Sequence, residues 1–135
     1  MGFEKVIFTN SDGKQLAARL EVPNNQEAHS YAIFAHCFTC NKNFSAVRNI
    51  SRALVNKGIA VLRFDFTGLG ESEGDFEETN FSSNVSDLIQ AAKFLKDNYK
   101  APSILVGHSL GGVAVIYAAS EIESIVAVAT IGAPS

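Results

Sequence analysis

Apolar residues fall along the chain in two patterns, continuous runs and stretches with helical spacing. The runs YAIFAHC, IAVLRFDF, SILVGH and SIVAVATIG are short and almost uninterrupted. Such runs are typical of strands that both faces of a parallel sheet bury. Two earlier segments, EKVIFTN and QLAARLEVP, are separated by SDGK, in which Asp12-Gly13 is a hairpin turn signal. The sequence therefore predicts about six strands, the first two forming a hairpin.

Helical spacing fills the intervals between the later strands. A first helix is predicted from about Asn43 to Lys57, and Gly58 provides its left-handed stop. A second is predicted to end near Tyr99, ahead of Pro102, and a third covers LGGVAVIYAASEI. The first helix is predicted from the apolar spacing of Phe44, Val47, Ile50 and Leu54. The second is predicted from that of Val85, Leu88, Ile89, Ala92 and Leu95.

The order of elements is two strands, three strand-helix units and a last strand. Strands that alternate with helices form a mostly parallel sheet with helices on both faces, so the expected class is α/β. At 135 residues, 47% of them hydrophobic, the chain has material for one core, and a single domain over residues 1–135 is expected.

Charge and hydropathy exclude several classes of function. The formal net charge is −3, and no cluster of Lys and Arg is evident in the sequence, which argues against a nucleic-acid partner. No apolar run approaches the ~20 residues that cross a bilayer. The N-terminal MGFEKVIFTN lacks the long apolar region of a secretory signal. We therefore expect a soluble cytoplasmic protein with no membrane partner.

The stretch ILVGHSLGG places Ser109 between Gly107 and Gly111 in the spacing G-x-S-x-G. The serine falls at the predicted turn between an apolar strand and a helix, which is the context of a nucleophile elbow. There the backbone is strained, the hydroxyl is raised above the sheet, and the flanking positions must be small. The alternative is that Ser109 only caps the helix. The strand-turn-helix context favours the nucleophile.

A serine nucleophile requires hydrogen-bond donors for the oxyanion that forms on the substrate. The backbone N–H of Leu110, at the start of the helix, is the first expected donor. The second is expected from the loop after YAIFA, where HCFTC places Phe38, with Cys37 the weaker choice. We interpret His36 as a hydrogen-bonded residue that shapes this loop, in preference to a general base.

These motifs together resemble the α/β-hydrolase superfamily, within it the serine hydrolases related to dienelactone hydrolase and acyl peptidases. They are GHSLGG, HCFTC and RFDFTGLGESEGDF. With NFSSNVSDL added, the chain resembles the hydrolase half of bacterial proteins in which this domain precedes an osmotically inducible (OsmC-like) peroxide-reductase-type domain. The resemblance implies an esterase-like or acyl hydrolase that acts on a small ester or acyl substrate and needs no cofactor.

The same resemblance implies roles for the segment after IAVLRF. Asp65 is expected to bind its own glycine-rich loop, which includes Gly68 and Gly70, and not to act as the triad acid. The acidic stretch 71–78, ESEGDFEE, is expected to be a solvated loop.

Two members of a catalytic triad are missing from the expected positions. In this fold the acid and then the histidine follow the serine, yet the residues after Ser109 include no histidine. His108 adjoins the serine but lies at a strand end, where neighbouring side chains point to opposite faces. We expect a hydrolase domain that is incomplete at its C-terminus and weak or inactive alone. Its last strand would then be an exposed edge that favours self-association.

Two other functions remain open. Cys37 and Cys40 form a C-x-x-C pair near a strand-helix junction, the arrangement of a thiol-redox module. Metal binding is disfavoured because two thiols alone do not complete a tetrahedral site. The third alternative is a noncatalytic binding scaffold that keeps the elbow without turnover.

Overall fold

The computed structural model describes residues 2–24, 27–36, 42–43 and 45–132. The strands are β1 (Gly2–Thr9), β2 (Gln15–Val22), β3 (Ser30–Ala35), β4 (Ile59–Phe64), β5 (Ile104–His108) and β6 (Ala127–Ile131). The helices are α1 (Ser45–Val55), α2 (Phe81–Asn98) and α3 (Leu110–Ala119), with a short 3₁₀ turn over Phe76–Glu78.

The six strands form one sheet in the order β1-β2-β4-β3-β5-β6. β1 and β2 form the predicted hairpin, in which Thr9 pairs with Gln15 across a turn whose Gly13 has a φ of 81°. β2 runs antiparallel to β4, and the remaining neighbours are parallel. The structure confirms the α/β class and the mostly parallel sheet.

Side chains alternate between two apolar layers on opposite faces of the sheet. In β3, Ala32 and Phe34 pack with Val47 and Val55 of α1. The intervening Ile33 and Ala35 belong to the larger layer on the other face, which includes α2 and α3. Successive side chains of a strand point to opposite faces of the sheet, so both faces are apolar. One face is covered by α1 and the other by α2 and α3.

The ends of the elements follow local hydrogen bonding. α2 begins at a capping box in which the Asn80 side chain accepts from Ser83 N and Ser83 Oγ accepts from Asn80 N. β6 begins three residues later than the apolar run predicts. The reason is a loop in which the Ser124 hydroxyl bonds the Pro102 carbonyl and Val126 N donates to Ser103 O.

None of the helices in the described ranges has the length and apolar content needed to span a membrane. β6 lies at the edge of the described sheet, as predicted, and all five of its residues are exposed.

Candidate active site

Ser109 occupies the sharp turn between β5 and α3. Its backbone angles are φ 57° and ψ −122°, and it is the one non-glycine residue with a positive φ within the described ranges. A residue with a Cβ is strained in this conformation, at a cost of about 1–3 kcal/mol, and such strain clusters at functional sites. Ser109 holds the N-cap position of α3, yet its side chain makes no capping hydrogen bond. The alternative that the Ser109 side chain caps the helix is therefore wrong.

The two flanking glycines are required by direct backbone contacts. A Cβ on Gly107 would overlap the backbone of Gly111 and Gly112 at the start of α3. A Cβ on Gly111 would overlap the carbonyl oxygens of Ala35 and His36. The elbow is thus pressed between its own helix and the end of β3, so only glycine fits at either position.

The backbone N–H groups of Ser109 and Leu110 differ in whether the fold provides them with an acceptor. Ser109 N donates to the carbonyl of Ile131 at 2.9 Å, so β6 holds the turn and occupies this donor. Leu110 is the first residue of α3, and the first N–H groups of a helix have no acceptor within the helix. Of these two N–H groups, that of Leu110 is the one without an acceptor inside α3.

The loop that follows β3 is only partly described. Phe38, the predicted second donor, lies outside the described residues, as do Cys37 and Cys40. His36 is fully buried, and its Nε2 lies 3.7 Å from Asp65 Oδ1. Its ring meets the edge of Phe66 with centroids 5.2 Å apart. This position agrees with the structural interpretation of His36.

Asp65 is fully buried and binds two segments of loop. Its carboxylate accepts from Glu71 N at 3.0 Å, which confirms that it holds its own glycine-rich turn. It also accepts from the backbone N and the Nζ of Lys42, at 2.7 and 2.9 Å. Gly70, with a φ of 54°, lies so close that a Cβ there would overlap the Asp65 carboxylate.

Lys42 is a site residue that the sequence reasoning missed. Its ammonium is almost buried and bridges Asp65 to Glu71, whose Oε1 lies 2.6 Å from Nζ. The hydrogen bond and the charge of Lys42 lower the pKa of Glu71. The available signal was the lysine in NKN after HCFTC, but its partners are more than twenty residues away in sequence.

The acidic stretch 71–78 is largely exposed, and hydrogen bonds hold it in place. Glu73 Oε1 accepts from Gln15 N at 2.8 Å, and Glu73 N donates to Gln15 O at 2.9 Å. The Asp75 side chain accepts from Glu77 N and caps the 3₁₀ turn. These bonds attach the stretch to the start of β2, while Glu73 and Asp75 stay exposed to solvent, so the prediction of a solvated loop is confirmed at both residues.

A second buried carboxylate, Asp87 of α2, was also missed. Its Oδ2 accepts from the backbone N and the hydroxyl of Thr67, at 2.9 and 2.8 Å. The Thr67 hydroxyl accepts in turn from Asn10 Nδ2 at 2.8 Å. Burial raises the pKa of Asp87, and the bonds from Thr67 oppose that rise. The network fixes the residues after β4 against α2.

The histidines are held in different surroundings. His29 lies immediately before β3, with Nε2 2.9 Å from Lys57 O and Nδ1 3.1 Å from Ser30 Oγ. His108 ends β5 and is half-buried, and its Nδ1 is enclosed without a hydrogen-bond partner in the described part of the chain. No group of three or more His, Cys, Asp or Glu residues in the described ranges is arranged to hold a metal ion.

Two cavities in the described part of the structure lie away from the β5–α3 turn that holds Ser109. One of about 630 Å³ is lined by the end of α2 and the loop after α3, and one of about 600 Å³ lies between Phe81 and Tyr117. Neither is lined by Ser109. Beside the serine itself, Leu110 and Ile131 expose apolar side chains.

Comparison with known proteins identifies relatives of this architecture. The family described as serine aminopeptidase, S33, matches residues 26–134. Bos taurus palmitoyl-protein thioesterase ABHD10, a mitochondrial protein, is 32% identical over 102 residues, 73% of this chain and 32% of its own length. Homo sapiens monoglyceride lipase is 27% identical over 116 residues, 84% of this chain and 37% of its own.

A solved structure has the same fold at higher identity. The crystal structure of the esterase domain from a Rhodothermus marinus protein has a TM-score of 0.82 and 52% sequence identity. The match covers 99% of this chain and 51% of that one. The chain therefore spans about half the length of the solved esterase and about a third of the curated relatives.

Proposed function

The chain belongs to the serine aminopeptidase S33 family of α/β-hydrolases, and from this premise we propose that Ser109 is the nucleophile of an ester or acyl hydrolase. The observation that carries the proposal is the strained backbone of Ser109 at the β5–α3 turn, with a side chain that caps nothing. Strain without a structural hydrogen bond is expected where the hydroxyl serves chemistry.

In the proposed reaction, Ser109 Oγ attacks the carbonyl carbon of the substrate while its proton passes to a base. The carbonyl oxygen becomes an oxyanion, which accepts hydrogen bonds from Leu110 N–H and, in the proposal, from Phe38 N–H. Collapse of this intermediate expels the alcohol or thiol with a proton and leaves an acyl-serine. Water then attacks the acyl-serine, which releases the acid and restores the hydroxyl.

We propose that the base is a histidine other than the three in this sequence. His29 is bound to Lys57 O at the other end of β3, and His36 is buried beside Asp65. In this fold the acid and the histidine follow the serine. The solved esterase chain is about twice as long as this one, and we propose that its additional length corresponds to the part that supplies both groups.

The proposed substrate is a small ester or thioester with an apolar acyl group. The exposed side chains of Leu110 and Ile131 flank the serine and would contact such a group. The names of the relatives, a thioesterase, a lipase and an esterase, are consistent with acyl transfer from oxygen or sulfur to water. Fusion to an OsmC-like domain and a cytoplasmic location remain predictions.

Turnover of p-nitrophenyl acetate tests the proposal in the protein that carries this sequence. Ser109→Ala should lower kcat/KM by about 10³-fold or more, because the nucleophile is lost while binding remains. Ser120→Ala, at the far end of α3, is the matched control and should retain the native rate. Equal rates for Ser109→Ala and the native protein would remove Ser109 from the mechanism.

A further inference from the structure

All four arginines of the sequence line one cavity, far from each other in the chain and together in the fold. The cavity has a volume of about 280 Å³ and lies between the β1–β2–β4 part of the sheet and α1. Its charged and aromatic lining residues are Phe3, Arg19, Glu21, Arg48, Arg52 and Arg63.

The arginines are placed where like charges oppose folding. Arg19 of β2 and Arg63 of β4 are direct partners in the antiparallel register. Arg48 and Arg52 are one turn apart on α1. Like charges directly across two strands, or four residues apart on a helix, destabilise the folded state. The apolar pattern that builds the sheet and the helix requires none of these arginines.

Within the cavity lining, one carboxylate faces these four cations. Glu21 Oε1 accepts from Arg63 Nη2 at 2.7 Å. Burial lowers the pKa of Arg63, Glu21 opposes that effect, and the charges of Arg19, Arg48 and Arg52 add to it. The lining carries three more positive than negative formal charges, although the whole chain has a net charge of −3.

Two arginines of the lining also have a buried hydrogen-bond donor whose acceptor is missing from the described part of the chain. These donors are the Nε atoms of Arg19 and Arg63. Arg63 is almost fully buried, while the Arg19 guanidinium stacks 3.5 Å from the ring centroid of Phe3. These buried donors cost free energy and are closed to solvent, whereas Arg48 and Arg52 are exposed, so a bound group that brings acceptor oxygens can reach their guanidinium groups.

We propose that this arginine cavity binds a phosphate group, free or at the end of a small phosphorylated molecule. A phosphate dianion carries two negative charges and several acceptor oxygens. A planar guanidinium pairs with it through two parallel hydrogen bonds. A carboxylate would leave more of the excess charge uncompensated. The volume is near the lower end of ligand cavities, which suits a small molecule.

The site is separate from the elbow. Its residues lie on the sheet face that α1 covers, whereas Ser109 precedes α3, which packs on the other face. Arg63 contacts the loop after β3 through Nη1, which donates to Lys42 O. Phosphate binding therefore stands or fails independently of the role of Ser109.

Calorimetric titration with inorganic phosphate tests the proposal, with glycerol phosphate as the monoester and with chloride and acetate at matched ionic strength. The native chain should bind phosphate or the monoester and neither chloride nor acetate. The stronger of the two phosphates identifies the source of the group. Arg48→Gln and Arg19→Gln should each weaken binding by about tenfold, the loss expected for one charge-assisted hydrogen bond. Lys93→Gln, which removes the same charge from α2, should bind like the native chain.

Thermal unfolding adds a second readout. Without phosphate, Arg48→Gln should unfold at the native temperature or above it, because one repulsive charge is gone. With saturating phosphate the native chain should become the more stable, since ligand that binds the folded state raises its stability. The proposal fails if neither inorganic phosphate nor glycerol phosphate binds at millimolar concentration. It fails also if acetate or chloride binds equally, or if Lys93→Gln weakens binding as much as Arg48→Gln.

Discussion

The strain at Ser109 predicts that glycine at this position gives a more stable protein than alanine. With φ 57° and ψ −122°, a residue that has a Cβ costs about 1–3 kcal/mol, and alanine retains that cost. Glycine removes it but gains freedom in the unfolded chain, which costs about 0.4–1 kcal/mol. Ser109→Gly should therefore unfold with a free energy about 1–2 kcal/mol higher than Ser109→Ala. Neither variant should hydrolyse esters.

Urea unfolding at neutral pH measures this difference directly, and thermal unfolding should show a gap of about 3–5 °C per kcal/mol for a chain of this length. Ser120 supplies the matched control, because its φ of −70° and ψ of −15° are ordinary helical values. At Ser120, the C-cap residue of α3, glycine should be no more stable than alanine, because no positive φ favours it there. If glycine is the less stable residue at both positions, the elbow is not strained and the reasoning is refuted.

Three further predictions concern the elbow, a buried acid and the edge strand. Gly111→Val should slow fluorophosphonate labelling while circular dichroism stays native, because the side chain would overlap Ala35 O and His36 O and displace Leu110 N–H; an unchanged labelling rate would contradict this. Burial raises the pKa of Asp87 in the folded state, so Asp87→Asn should be more stable than the native chain to urea at pH 7, and the gap should close as the pH falls through that pKa; a constant gap would exclude Asp87 as its source. Exposed β6 should associate with a second copy, with a sedimentation coefficient that rises with concentration and is lowered by Val128→Lys; a monomer with protected β6 amides would refute it.

The elements followed from the sequence because each has a local cause. Continuous apolar runs mark the buried strands, Gly58 ends the segment after α1 with a φ of 88°, and Gly13 turns the hairpin. The elbow was predictable for the same reason, since the small residues at 107 and 111 and the strand-helix junction are adjacent in the chain. The feature that decides its interpretation is that the Ser109 side chain makes no capping hydrogen bond, which only the folded structure shows.

The rest depended on contacts between distant segments. Lys42 meets Asp65 and Glu71, and Asp87 meets Thr67, across intervals of about twenty to thirty residues that carry no periodic signal. The four arginines are scattered over 45 positions, and the sequence alone offered no basic cluster. They converge because β2 pairs with β4 and α1 covers that face, a consequence of topology.

The most direct test of the central claim is the position at which a fluorophosphonate reacts with the folded chain. In the longest natural protein that contains this sequence, mass spectrometry should find the phosphonyl group on Ser109, because the elbow serine attacks phosphorus as it attacks a carbonyl carbon once its proton passes to the base. The label should be absent from Ser109→Ala and from protein unfolded in urea before the reagent is added. Labelling of other serines at the same rate, or an unlabelled Ser109 in the longest natural protein that contains this sequence, would contradict the assignment of Ser109 as the nucleophile.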